Sequence, residues 1–166
     1  TRNKKEAMSL FEKASKEGFK KKIDKFLKEA DNEKSIKVDV ARKSKKKVDV
    51  VFLIDGTKTN KNFYKSLKNI FEDSVNECMD SYRDYNFRFG VVIYRDLIIS
   101  QRSVPYRLKK PLIIDLTDDI SEIQSFLCKY RPSGGGFKRD NDWACGYHAL
   151  EEKISWSKKS TKLVIQ

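Results

Sequence analysis

The sequence predicts an α/β domain in which helices cover both faces of a largely parallel sheet. Four apolar runs, at residues 48–54, 87–94, 112–116 and 161–166, are typical of strands. The segments between the first and second runs and between the third and fourth carry apolar residues at helical spacing. Alternation of strands and helices along a chain favours the α/β class.

The first run, VDVVFLI, begins at Val48 and is rich in β-branched residues, as expected for a strand buried on both faces. Asn60 is a suitable N-cap for the helix that follows, which is expected to end near Tyr82. A short polar loop, residues 55–59, separates strand from helix.

Two further helices and one loop complete the strand–helix alternation. Residues 118–130 place Ile and Phe on one face of a helix, and residues 141–154 form another helical segment. Gly134–Gly136 lies between them and predicts a loop without side chains. Trp143 and Trp156 are expected to pack on the sheet.

An N-terminal arm precedes this domain. Residues 4–30 show apolar residues at helical spacing with lysines between them, which predicts an amphipathic helix. Residues 1–47 hold seventeen Lys/Arg against eight Asp/Glu, so most of the net charge of +12 belongs to this part. We therefore divide the chain into a basic helical arm and linker, 1–47, and an α/β domain, 48–166.

The loop DGTKT stands where a ligand site is expected in such a sheet, at the carboxyl end of a strand. Hydroxyls at Thr57 and Thr59 are spaced so that both can face one point, and Asp55 adds a carboxylate. Oxygen ligands of this kind suit a hard cation such as Mg²⁺. The alternative is a polar loop whose hydroxyls cap the next helix.

The chain resembles a von Willebrand factor A (vWA) domain. DVVFLIDGTKTN is similar to that family's first strand and its Asp-x-Ser/Thr-x-Ser/Thr loop, and FRFGVVIYRD to its second strand. LIIDLTDDISEIQSFL resembles the edge strand and next helix, SGGGFKRDNDWACGYHALEEKI the Gly-rich loop and helix of a bacterial subset, and TKLVIQ the fourth strand. The resemblance implies a doubly wound, Rossmann-like sheet with one antiparallel edge strand. It also implies further elements after the fourth strand, so the fold is expected to be incomplete at its C-terminal end.

The resemblance further implies a metal-ion-dependent adhesion site holding Mg²⁺, for which Mn²⁺ or Ca²⁺ can substitute. Asp55, Thr57 and Thr59 would be its first ligands. The Gly-rich loop would supply another, and Asp140 is the acid nearest to the position of the family's ligand, which Phe137 occupies here. This departure leaves the site partly degenerate.

Such a domain is expected to bind another protein, through an acidic side chain that completes the metal's coordination. We expect the docking surface to include residues on both loops: Lys58, Asn60, Phe137, Lys138 and Arg139. The alternative is a metal-free scaffold whose basic arm binds nucleic acid or an anionic surface. That arm would use Lys20, Lys21, Lys22, Lys45, Lys46 and Lys47.

An enzymatic function is not expected. The strand-Asp-Gly-Thr pattern also occurs in haloacid-dehalogenase-type phosphatases, but Leu53 stands where their nucleophilic aspartate would be. Cys78, Cys128 and Cys145 are widely spaced, lack metal-binding patterns and predict reduced, buried thiols in a cytoplasmic protein. No apolar run is long enough to span a membrane.

Overall fold

The computed structural model describes residues 16–29, 45–95, 111–132 and 143–166. Residues 16–29 are helical (α1). The elements that follow are β1 (Lys46–Asp55), a 3₁₀ turn (Lys58–Asn60), α2 (Lys61–Ser81), β2 (Tyr85–Tyr94), β3 (Leu112–Thr117), α3 (Ile120–Lys129), α4 (Trp143–Glu152) and β4 (Thr161–Ile165).

The described strands form one mixed sheet in the order β3-β2-β1-β4. β1 runs parallel to both β2 and β4, whereas β3 pairs antiparallel with β2 at the edge. The pairing of β2 with β3 is irregular between Phe89 and Val91, and a side chain at Gly90 would come within 3.1 Å of the Ile114 carbonyl oxygen. The predicted doubly wound sheet with one antiparallel edge strand is confirmed.

Side chains of β1 alternate between two apolar cores. Val50 and Phe52 point into the larger core, which α2 and α3 cover, while Val51 and Leu53 point into a smaller core under α4. A strand buried on both faces therefore carries the continuous apolar run that the sequence shows. Trp156 packs against the smaller core, but Trp143 is 59% exposed, so the expectation that both tryptophans pack on the sheet is wrong for Trp143.

The two central strands are longer than predicted. β1 begins at Lys46, opposite Tyr85 of β2, because main-chain pairing continues past the last buried side chain. α3 is shorter than predicted, since Asp119 ends the preceding extended segment and its carboxylate accepts the Ser121 N–H at 2.9 Å as an N-cap.

Helix α1 packs on the larger core. Ile23 and Leu27 are buried there, and the Phe19 ring stacks on Phe52 with 5.8 Å between centroids. Outside this apolar stripe, Lys16 forms an ion pair with Glu77 of α2 at 2.9 Å. The predicted N-terminal helix is confirmed for residues 16–29, and its apolar face is used within the domain.

At the amino end of the sheet, a buried carboxylate joins β1 to the segment before β4. Asp49 is only 1% exposed and accepts hydrogen bonds from Arg88 Nε at 2.9 Å and from the Ser157 N–H at 2.8 Å. Ser160 Oγ also donates to it. The network is structural, and it lies at the end of β1 opposite the DGTKT loop.

Candidate functional site

The DGTKT loop leaves the sheet at the carboxyl end of β1. Asp55 is the last residue of β1 and pairs with Tyr94 of β2, and the Gly56 N–H continues the ladder by donating to the Tyr94 carbonyl at 2.8 Å. The backbone pairing of β1 with β2 therefore fixes where the loop begins at the edge of the sheet. This is the edge at which parallel α/β sheets bind ligands.

Hydrogen bonds within the loop set the direction of its side chains. Asp55 Oδ1 accepts the Thr57 N–H at 2.9 Å, which closes a tight turn through Gly56. The Asn60 N–H donates to the Thr57 carbonyl at 3.1 Å and forms the 3₁₀ turn. Asn60 is the N-cap of α2 as predicted, although its side chain makes no capping hydrogen bond.

The two threonine hydroxyls meet, as the spacing predicted. Thr57 Oγ1 and Thr59 Oγ1 are 2.8 Å apart. Thr57 is buried, whereas Thr59 is exposed, so the pair lies at the boundary between the protein and solvent. Neither hydroxyl caps α2, and this removes the helix-capping interpretation of the loop.

This separation fits two arrangements. Two hydroxyls at 2.8 Å can share a hydrogen bond. Oxygen ligands at neighbouring corners of an octahedron, each about 2.0–2.1 Å from Mg²⁺, lie about 2.8–3.0 Å apart. The hydroxyl pair therefore already has the spacing of one edge of a magnesium coordination sphere, and binding the ion there needs no movement that separates them.

Tyr130, at the C-terminal end of α3, supports the DGTKT loop through a hydrogen bond to its main chain. Tyr130 Oη donates to the Gly56 carbonyl oxygen at 2.7 Å and accepts a hydrogen bond from Arg95 Nε at 3.0 Å. The guanidinium of Arg95 also lies 5.0 Å from the Tyr130 ring centroid. One buried side chain thus connects the loop after β1, the residue after β2 and the segment that leads from α3 towards the Gly-rich loop.

The contact between Tyr130 and Gly56 is closely packed. A Cβ atom at Gly56 would overlap Tyr130 Oη and approach Ile93 Cγ2 to 2.5 Å. Tyr130 in turn packs edge-on against Tyr64, whose hydroxyl donates to the Leu127 carbonyl at 2.8 Å. Only glycine therefore fits between the loop and its support.

Tyr130 stays neutral in this position. Burial raises its pKa, and the opposing effect of the neighbouring Arg95 does not cancel this rise. The hydroxyl therefore remains a hydrogen-bond donor to Gly56 throughout the physiological pH range. Sequence reasoning missed both Tyr130 and Arg95; the available signal was that each directly follows an element whose end faces the candidate site.

The second half of the predicted site lies outside the described residues. This applies to Asp140, the expected further metal ligand, and to the expected docking residues Phe137, Lys138 and Arg139. Of the other docking residues, Lys58 is exposed on the 3₁₀ turn and Asn60 is half-buried. Within the described part of the chain, no three His, Cys, Asp or Glu side chains group as metal ligands.

The six lysines of the alternative site are all exposed. Lys45 immediately precedes β1, and Lys46 and Lys47 are its first two residues. Because a strand rises about 3.3 Å per residue, these lysines lie about 30 Å from the DGTKT loop at the other end of β1. Lys20 lies on α1, where its ammonium is 3.4 Å from Glu77 and partly neutralised by it.

The cysteines differ in exposure. Cys78 is buried, as predicted, and burial raises its pKa to about 12. Cys145 is half-buried and Cys128 is exposed, so the expectation of three buried thiols is wrong for these two. All three are free thiols, and a cytoplasmic location stays a prediction. None of the helices in the described ranges has the length and apolar character needed to cross a bilayer.

Comparison with known protein families identifies a match that covers most of the chain. A family model described as "TssR protein VWA domain" matches residues 34–165, which includes every described strand, the DGTKT loop and the Gly-rich loop. A search of curated proteins found no match.

Proposed function

The chain belongs to the TssR VWA family of von Willebrand factor A domains, and from this premise we propose that it is a protein-interaction module of a larger protein or assembly, with a Mg²⁺-dependent docking point at residues 55–60. The observation that carries the proposal is the hydroxyl pair of Thr57 and Thr59, 2.8 Å apart at the carboxyl edge of the sheet.

The proposed ion is held mainly by neutral oxygens. Thr57 and Thr59 would bind Mg²⁺ through their hydroxyls, Asp55 would act through a bound water, and Asp140 would contribute from the Gly-rich loop. Because the hydroxyls carry no formal charge, the bound ion retains affinity for a further carboxylate. An Asp or Glu of the partner is therefore the proposed ligand of the remaining coordination position.

Basic residues in the DGTKT loop and in the Gly-rich segment of the sequence favour the same partner. Lys58 is exposed beside Thr57 and Thr59, and Lys138 and Arg139 follow Gly136 in the sequence. Basic side chains around a docking point raise the rate at which an acidic partner associates. They would also repel Mg²⁺, so we expect metal binding to be weak without the partner.

We propose that the DGTKT loop binds a partner and catalyses no reaction. In the phosphatase interpretation, Leu53 holds the position of the nucleophile, and its side chain is buried in the core under α4. It can neither attack phosphorus nor face the loop. This supports a docking role for the DGTKT loop.

Thermal unfolding with and without added ion tests the proposal. We expect millimolar Mg²⁺ or Mn²⁺ to raise the Tm of the wild-type chain, because an ion that binds only the folded state stabilises it. Thr59→Val removes one ligand at an exposed position and should abolish the rise. Thr161→Val, at the start of β4 and away from the loop, should leave it intact.

Calorimetric titration with the same ions gives the decisive negative outcome. If the wild-type chain shows neither heat nor stabilisation even at ion concentrations above the millimolar range, where a weak site is occupied because the ion concentration exceeds its Kd, the metal-dependent form of the proposal is wrong. The metal-free scaffold would then be the remaining form of the interaction module.

A second proposed function uses the basic residues. The exposure of Lys20–Lys22 and Lys45–Lys47 favours binding to nucleic acid or another polyanion. The apolar face of α1 is buried on the sheet, so this helix does not offer it to a membrane surface. Binding to duplex DNA should weaken steeply between 50 and 200 mM salt. Absence of any gel retardation at low salt would exclude this function.

A further inference from the structure

Two groups of lysines meet at the amino end of the sheet. Lys45–Lys47 lead into β1, and Lys158 and Lys159 form the turn that leads into β4. These strands are neighbours, and their paired residues begin with Val48 and Thr161, so each group lies just before the same pair. All five lysines are exposed. We call these five residues the amino-end patch.

A buried carboxylate holds the two groups of lysines together. Asp49 of β1 accepts hydrogen bonds from the Ser157 N–H at 2.8 Å and from the Ser160 hydroxyl, which is 111 positions away in the sequence. Both ends of the Lys158–Lys159 turn are therefore bonded to β1. Because these bonds hold the turn beside Lys45–Lys47, the five charges are positioned before any ligand binds.

The positive charges of the amino-end patch are not cancelled by acids in the same segments. In residues 45–49 and 157–162 the one acid is Asp49. Its side chain is 1% exposed and pairs with Arg88 Nε at 2.9 Å, so this carboxylate and guanidinium neutralise each other. The two segments therefore present lysine ammonium groups to solvent without an exposed carboxylate between them.

Neighbouring elements do not change this balance. Asp84 lies beside the patch, since the Lys46 N–H donates to its carbonyl at 3.2 Å, but the exposed Arg83 precedes it and carries the opposite charge. The lysines of α1 are different, because they lie among acids. Lys20, for example, has its ammonium 3.4 Å from a carboxylate oxygen of Glu77. The amino-end patch is thus the better polyanion site of the two.

We propose that the amino-end patch binds the phosphate backbone of duplex nucleic acid. Duplex DNA carries one charge per about 1.7 Å of its axis, whereas an extended acidic peptide offers at most one per about 3.3 Å. Five charges at the ends of two adjacent strands match the denser ligand. Lysine ammonium groups also suit phosphate contacts that carry no sequence information.

An anionic membrane fits the patch less well. None of the large exposed apolar side chains lies in residues 45–49 or 157–162, so the patch has nothing to insert into a bilayer. The family resemblance implies further elements after β4, but a strand added there would lie beside β4, whereas the patch lies at the strand ends. The inference rests on the second proposed function for the class of ligand, while the position of the patch does not.

The test is fluorescence anisotropy of a short labelled DNA duplex with the 166-residue chain, between about 50 and 200 mM salt. The logarithm of the binding constant should fall against the logarithm of salt by about 0.9 for each phosphate neutralised. Lys158→Gln with Lys159→Gln should reduce this slope by about 1–2 and weaken binding at 50 mM salt about tenfold or more. Replacing the same two lysines by Arg should preserve both the slope and the affinity.

Two further double variants make the measurement specific. Lys61→Gln with Lys65→Gln removes the same charge from exposed positions in the first turns of α2, at the opposite end of the sheet, and should leave the slope unchanged. Lys21→Gln with Lys22→Gln tests the basic face of α1 and should have a smaller effect than the patch variant. Thermal unfolding checks that every variant keeps the wild-type Tm, as expected for exposed lysines.

The outcomes separate this inference from the second proposed function. If the wild-type chain does not bind DNA at 50 mM salt, both are wrong. If binding is weakened by the α1 variant but kept in the Lys158/Lys159 variant, the function stands and the patch is not its site. Equal losses in the α2 and patch variants would show that net charge alone matters and would overturn the inference. So would tighter binding of polyglutamate or of phosphatidylserine vesicles than of DNA at the same salt concentration.

Discussion

The hydroxyl of Tyr130 donates a hydrogen bond to the main-chain carbonyl of Gly56 at 2.7 Å, across 74 positions of sequence. The bond joins the end of α3 to the turn that presents Thr57 and Thr59. Because the same hydroxyl accepts from Arg95, the segment after β2 is joined to it as well. The position of the candidate docking loop therefore depends on the packing of α3 as well as on β1.

Tyr130→Phe should destabilise the fold by about 2 kcal/mol. The ring and its packing remain, but the buried Gly56 carbonyl loses its hydrogen bond and Arg95 loses an acceptor. Urea unfolding measures the change. Tyr147→Phe is the matched control, since its hydroxyl bonds Gln166 at an exposed position and its loss should change stability by about 0.5 kcal/mol or less. Equal effects in both variants would contradict the structural role of Tyr130.

Gly56→Ala should be severely destabilising, by about 3 kcal/mol or more, because the added methyl group has no space between Tyr130 and Ile93. Gly18→Ala provides the contrast. Nothing lies within 4 Å of a Cβ atom at Gly18, in helix α1, so alanine there should stabilise the chain by about 0.5–1 kcal/mol. Thermal unfolding of both variants checks the prediction, which fails if Gly56→Ala unfolds at the wild-type temperature.

Much of the fold could be predicted because its signals are local. The run from Val48 to Ile54 is apolar on both faces, and the structure places an apolar core on each side of it. What the sequence pattern could not indicate was the extent of strand pairing. Lys46 and Lys47 carry no apolar signal, yet their main chains pair with β2, because strand pairing uses the backbone rather than the side chain.

The candidate site was predictable only in part. The closeness of Thr57 and Thr59 follows from a spacing of two residues on a tight turn and is confirmed at 2.8 Å. The contact between Tyr130 and Gly56 joins segments 74 positions apart, and no periodicity indicates such a pair. The packing of α1 on the sheet depends likewise on tertiary contacts, those of Ile23 and Leu27 with the larger core.

Acid should destabilise the chain partly through Asp49. Burial alone would raise the pKa of Asp49, but hydrogen bonds from Arg88, Ser160 and Ser157 outweigh that effect and hold this pKa below its usual value. A group whose pKa is lower in the folded than in the unfolded state stabilises the fold fully above the unfolded value, about 3.9, and loses this contribution as the pH falls through the folded value. We expect stability to decline below about pH 4.

Asp49→Asn isolates this contribution. It leaves the Arg88 guanidinium without its anionic partner, and we expect a loss of about 2–3 kcal/mol at pH 7. As the pH falls below about 4, the variant should lose less stability than the wild type, because it already lacks the contribution of the ionised Asp49 carboxylate. Asp80→Asn, at an exposed position on α2, should follow the wild-type curve. Parallel pH dependences of the wild type and Asp49→Asn would show that other carboxylates account for the acid response.

Ser74→Ala should stabilise the ligand-free chain, which is an unusual outcome for a buried substitution. The hydroxyl of Ser74 is buried without a partner, so removing it removes a desolvation cost, and alanine is the better helix former in the middle of α2. We expect a gain of about 1 kcal/mol, or a rise in Tm of about 2–4 °C for a chain of this size. Differential scanning calorimetry measures it. Ser81→Ala, which removes a hydroxyl that bonds the Glu77 carbonyl at 2.8 Å on the exposed end of the same helix, should give no gain. A loss of stability in Ser74→Ala would mean that the hydroxyl has a hydrogen-bond partner in solution.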